Sequence, residues 1–170
     1  MIDPQRHADS RNFIESILRH IPGFRGYLER DYRQESDHLT RTFMADRLQR
    51  CKRAWDEYVL TLVDAGLLDR LPACERVKTR IDTLMLKIRG AVRGYSGFFD
   101  YVRVDENVLD QVYENDMALV QEVEALAASI EQLPSKPDTA ASTPADLLRQ
   151  LDELDRKFAK RGELLKGLGS

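Results

Sequence analysis

Apolar residues recur along most of this chain at steps of three and four, the period of a helix that buries one face. Phe13, Ile14, Ile17, Leu18 and Ile21 form the first such set, with Asp9 or Ser10 placed to cap its start and Pro22-Gly23 to stop it. A second helix is predicted from Tyr27 to Ala65, a stretch with neither proline nor glycine. Its stripe reads Leu28, Tyr32, Leu39, Phe43, Leu48, Cys51, Trp55, Tyr58 and Leu62, and Gly66 ends it. The stripe is interrupted at 33–38, where no residue is apolar; that patch is a solvated turn, a polar layer or a site. Leu67–Leu71 reads as a short connection, and Pro72 suits the first turn of a third helix carrying Cys74, Val77, Ile81, Leu84, Met85 and Ile88. A break is predicted where Gly90, Gly94 and Gly97 cluster, followed by a short apolar plug at Phe98–Val104. Leu109, Val112, Leu119, Val123, Leu126, Ile130 and Leu133 then give a heptad-like stripe over 105–133, with Asp116 standing where an apolar residue belongs. The last stripe, Leu147, Leu151, Leu154, Phe158 and Leu165, opens on a threonine cap at Thr143 and Pro144 in the first turn.

These elements predict an all-α protein, an elongated antiparallel helical bundle resembling a coiled-coil hairpin, with a tethered C-terminal helix. The expected organisation is a bundle over 1–133, a polar linker at 134–143 and an amphipathic helix over 144–170 that either folds back or projects. No run of apolar residues reaches the ~18 needed to span a membrane, and the polar start lacks a secretory pattern, so the expected location is cytoplasmic.

Charge sharpens the picture. Acids supply Asp105, Glu106, Asp110, Glu114, Asp116, Glu122, Glu124 and Glu131 between Val104 and Ser135, a stretch with no lysine or arginine. Most arginines sit on the second and third helices. Such segregation predicts the acidic helix lying against the basic hairpin, or else a surface for a partner of opposite charge. A net charge of −3 gives no reason to expect nucleic acid.

Candidate chemistry is sparse. Glu35 and His38 match the Glu-x-x-His spacing that carboxylate-bridged metal bundles use in pairs, so a ferritin-like site formed across a homodimer is one reading; a solvated helix face is the other. Arg89 and Arg93 among glycines resemble an anion cradle, but arginines at a helix C-terminus also complement its dipole. Tyr95, Phe98 and Phe99 are either a core plug or interface anchors. The basic end Arg156–Arg161 admits contact with anionic lipid, diluted by neighbouring acids. Cys51 and Cys74 fit no metal or redox motif, and no nucleophile or dinucleotide motif occurs.

The words Ile21-Pro-Gly-Phe-Arg-Gly-Tyr27 and Gly94-Tyr-Ser-Gly-Phe-Phe-Asp100 resemble motifs of uncharacterised bacterial all-helical proteins encoded near band-7 (SPFH) membrane scaffolds. The resemblance covers about 15–133 and implies an accessory or adaptor role, with no catalytic residue to carry over. Together these readings lead to a non-enzymatic interaction or assembly protein without cofactor, binding a protein partner through Tyr27, Arg89, Arg93, Tyr95, Phe98 and Phe99. The alternatives are the metal bundle and a peripheral membrane protein.

Overall fold

A computed structural model describes residues 4–27, 30–91, 106–135 and 144–167. Those residues form five α-helices and one 3₁₀ turn, with no strand among them. The protein is all-α. Helix α1 is Pro4–His20, α2 Arg30–Asp64, α3 Leu71–Gly90, α4 Glu106–Gln132 and α5 Pro144–Gly167. The first helix starts at Pro4 rather than at the predicted Asp9 or Ser10 cap, since proline in a first turn forfeits no hydrogen bond. At 35 residues α2 runs unbroken for about 52 Å.

The end of α2 is built by Gly66. Its φ of 74° lets its N–H reach the Val63 carbonyl at 2.9 Å, while the Leu67 N–H reaches the Leu62 carbonyl at 2.9 Å. That pair of bonds is a Schellman cap, which needs a left-handed residue. The 3₁₀ turn Leu68–Arg70 then reverses the chain into α3, whose first turn carries Pro72.

Helices α2 to α5 occupy the corners of a four-helix bundle. Neighbours around the ring are α2 with α3, α3 with α5, α5 with α4, and α4 with α2; α1 lies along α4. Cross-helix pairs give the directions. Lys52 with Asp82 and Lys78 with Asp56 make α2 and α3 antiparallel, and Lys157 with Glu122 and Arg161 with Asp116 do the same for α4 and α5. Tyr27, just before α2, lies beside Tyr113 and Asp116, while Arg47 further along α2 reaches Glu124 and Glu131, so α2 and α4 run parallel. By the same logic α3 and α5 are parallel. Successive helices do alternate in direction, as expected, but α3 and α4 stand on opposite corners.

The main core draws on all four corners: Met44, Leu48 and Trp55 of α2, Val77, Ile81 and Leu84 of α3, Leu119, Val123 and Ile130 of α4, and Leu151, Leu154 and Phe158 of α5. Helix α5 therefore folds back; each of its buried leucines adds about 1.5–3 kcal/mol of gross transfer energy. A second apolar cluster joins Ile17, Ile21, Phe24 and Tyr27 to Leu109, Val112, Tyr113 and Leu165. The glycine-aromatic break and plug at 92–104 lie outside the described residues.

Candidate functional site

Between the two apolar clusters lies a layer of buried polar side chains. Arg33, Ser36, Asp37, Thr40 and Arg41 of α2, Asp116 of α4 and Arg161 of α5 are all buried there, and Tyr27 reaches in from the α1–α2 connection. The apolar-free stretch 33–38 is thus a polar layer, not a solvated turn. Its helical phase explains why: Arg33, Asp37, Thr40, Met44, Leu48, Cys51 and Trp55 share the inward face, while Tyr32, Leu39 and Phe43, read from sequence as the stripe, are only partly covered.

Arg161, with no exposed surface, is the hub. Its Nε donates to Asp116 Oδ1 at 2.6 Å and its Nη2 to the Tyr27 hydroxyl at 2.9 Å. Nη2 also lies 2.7 Å from Asp37 Oδ1, a coulombic contact outside hydrogen-bond geometry. The Tyr27 hydroxyl donates to Asp116 Oδ2. Asp37 Oδ2 accepts from Arg41 Nε at 2.7 Å, and Arg41 Nη1 donates to the Arg89 carbonyl at 3.1 Å at the C-terminus of α3. Arg33 Nε donates to the Tyr27 carbonyl at 2.6 Å, and the Tyr27 N–H donates to the Tyr113 hydroxyl at 2.8 Å. That last bond is why Gly26 is glycine: its φ is 83°, and a side chain there would strike the Tyr113 hydroxyl.

Burial and charge pull in opposite directions in this layer. Burial pushes the Asp116 carboxyl above the usual carboxylate range, although Arg161 and Tyr27 draw it back. Burial, reinforced by Asp116, puts the Tyr27 hydroxyl well above the ordinary phenol range. Burial works against the charge on Arg161, but Asp116, Tyr27 and Asp37 around it keep it protonated. Most polar groups here bond another part of the chain, while Arg161 Nη1 has no hydrogen-bond partner among the described residues. The layer ties α2, α4 and α5 together.

The residues expected to meet a partner are scattered. Tyr27 is fully buried in the layer, so its surface is not offered outward. Arg89 is exposed at the end of α3 and pairs with Asp46 at 3.3 Å. Arg93, Tyr95, Phe98 and Phe99 lie outside the described residues. Glu35 and His38 are both exposed on α2, and no group of three or more potential metal ligands occurs among the described residues. The lipid reading of 156–161 loses its last cation, because Arg161 points inward. No described helix is long and apolar enough to cross a membrane. Cys51 and Cys74 are free and buried, and burial pushes the Cys51 thiol up to about 11.

In the sequence Asp116 stands out of place and the stretch 33–38, with Asp37, stands out as a possible polar layer, whereas Arg41 and Arg161 pass unmarked. A signal exists for Arg161: it fills the step of three and four between Phe158 and Leu165 on the apolar face of α5.

Apolar side chains are exposed elsewhere. Leu60 (62% exposed), Val63 and Leu68 (59%) surround the Gly66 turn at the tip of the α2–α3 hairpin, far from the polar layer, and Leu86 (70%) stands on the outer face of α3. A shallow crevice of about 380 Å³ between α3 and α5 is lined by Arg76, Thr79, Arg80, Thr83 and Leu148. No family model matches this chain, and comparison with curated proteins and with solved structures finds no match.

Proposed function

We propose that this chain is a non-enzymatic interaction or assembly module whose bundle holds contact residues in fixed positions for a protein partner. The observation that supports this most directly is the exposed apolar tip of the α2–α3 hairpin, where Leu60, Val63 and Leu68, close in sequence on both sides of Gly66, are all open to solvent. Single exposed leucines are ordinary, but a cluster at the end of a rigid hairpin is the form an interface anchor takes. The glycine-aromatic segment with Tyr95, Phe98 and Phe99, which follows α3 in the sequence, is a second proposed contact. Its resemblance to proteins encoded beside band-7 scaffolds directs the search for partners to membrane-associated assemblies.

The test is site-specific photo-crosslinking in cells. A photoreactive residue at position 60 or 68 is expected to give one discrete protein adduct, while the same group at exposed Arg53 on the side of α2 gives none. Failure to form an adduct at either tip position, with the protein expressed and folded, would remove the tip from the interface.

A further inference from the structure

The helix order around the ring poses a problem that the apolar core does not solve. An up-down-up-down bundle with short connections can place its helices around the ring in chain order, so that every neighbouring pair is antiparallel. Here α4 sits beside α2 and α5 beside α3, and both of those seams are parallel. Parallel neighbours align their helix dipoles side by side, which is the less favourable arrangement. Apolar stripes run along all four helices, and a stripe's period sets which face is buried, not which helix it meets.

Ion pairing differs between the two kinds of seam. On the antiparallel seams each cation meets one carboxylate of the facing helix: Lys52 with Asp82 at 2.5 Å, Lys78 with Asp56 at 2.9 Å and Arg89 with Asp46 at 3.3 Å between α2 and α3, and Lys157 with Glu122 and Arg161 with Asp116 between α4 and α5. Each parallel seam instead carries an arginine holding two carboxylates on the facing helix. Arg47 of α2 bonds Glu124 at 2.9 Å through Nε and grips Glu131 with both terminal nitrogens, at 2.5 and 2.8 Å. Arg80 of α3 bonds Asp152 at 2.8 Å and Asp155 at 2.9 Å, and Lys87 adds a second contact to Asp155 at 2.5 Å. Glu124 and Glu131 lie two turns apart on α4, and Asp152 and Asp155 one turn apart on α5, so each guanidinium also fixes rotation and height. In the chain-order ring α2 and α4 would stand on opposite corners, as would α3 and α5, and neither clamp could form.

We infer that Arg47 and Arg80 select the arrangement of this bundle: their two-carboxylate clamps across the parallel seams place α4 beside α2 and α5 beside α3 in preference to the chain-order ring. Arg47 is itself buried, but its two glutamates and the Arg80 clamp lie at the solvent-open rim, where ion pairs discriminate between geometries more than they add stability.

The experiment is a distance measurement between spin labels on α3 and α4. Leu86 and Ala125, both exposed, are replaced by cysteine in a Cys51→Ala, Cys74→Ala background and labelled. With Arg47 and Arg80 intact, a single long distance across the diagonal is expected. In the Arg47→Gln, Arg80→Gln variant, with helicity retained by circular dichroism, a second and shorter distance is expected, from molecules in which α3 and α4 are neighbours. A single unchanged long distance in the variant overturns the inference, and so does loss of the fold, which would make the clamps stabilisers. Two distances in the background with both arginines intact overturn it as well.

Discussion

At the scale of single residues, the interior departs from the usual rule that charge stays wet, and it does so with nearly complete pairing. Asp116 accepts from Arg161 and from Tyr27, and a buried charge is tolerated only with such partners. Asp116→Asn keeps the shape but sets an amide N–H group against one of its two donors, Arg161 Nε or the Tyr27 hydroxyl, so it should destabilise the protein by about 1–3 kcal/mol at neutral pH, read by urea unfolding. The pH dependence has a definite sign. The folded carboxyl of Asp116 is raised above its unfolded value by burial, so the native state takes up a proton first. Stability from this residue therefore grows as pH falls from above that folded value towards the unfolded 3.8. An amide at this position cannot titrate, so the stability gap between the native protein and the Asp116→Asn variant should widen from neutral pH down towards the unfolded value. A gap that narrows would mean that the carboxylate is held below its ordinary range instead. Elsewhere the sign is reversed: the Arg47 hydrogen bond lowers Glu131, whose contribution is present above the unfolded 4.5 and is lost as pH falls through the lower folded value.

At the scale of elements, existence and extent were legible because proline, glycine and the apolar period say the same thing. Gly66, Pro72 and Pro144 stand at the ends the structure shows. What misled was rotational phase. Over 32–43 of α2 the apolar residues Tyr32, Leu39 and Phe43 sit on the flank, and the inward face is Arg33, Asp37 and Thr40. A hydrophobicity pattern assigns the buried face to the greasy side, and it fails where the core itself is ionic. Asp116 and Arg161 occupy inward positions of stripes that are otherwise apolar, and each looks like a defect until the other is seen facing it. The cap of α2 offers a cleaner case of local sequence setting geometry. Gly66→Ala meets no steric obstacle, since nothing lies within 4 Å of the added carbon, yet its φ of 74° stays in the left-handed region. The expected loss is about 1–2 kcal/mol, measured as a shift in the urea midpoint with unchanged slope.

At the scale of the whole molecule, the helix order is the part no single stripe could announce, because it depends on which charges find each other after collapse. The acidic segment 104–135 is visible as a run without cations, and α4 within it faces basic α2 through Arg47; the cations of α3 pair instead with α2, through Lys78 and Arg89, and with α5, through Arg80 and Lys87. Two electrostatic populations result, one buried in the layer and one along the rims, and salt should separate them. At about 1 M ionic strength the screening length shrinks to about 3 Å, so rim pairs such as Arg80 with Asp152 lose most of their effect. The layer around Arg161 excludes solvent and its ions alike. The destabilisation caused by Asp116→Asn should therefore be the same, within the error of extrapolation, at about 50 mM and about 1 M sodium chloride. That caused by Arg80→Gln, small to begin with at about 0–1 kcal/mol per pair, should vanish at the higher salt. Urea unfolding of both variants beside the native protein at the two salt concentrations measures this. If the Asp116→Asn loss also fades with salt, the layer is open to solvent, and the separation of a dry ionic centre from a wet ionic rim is wrong.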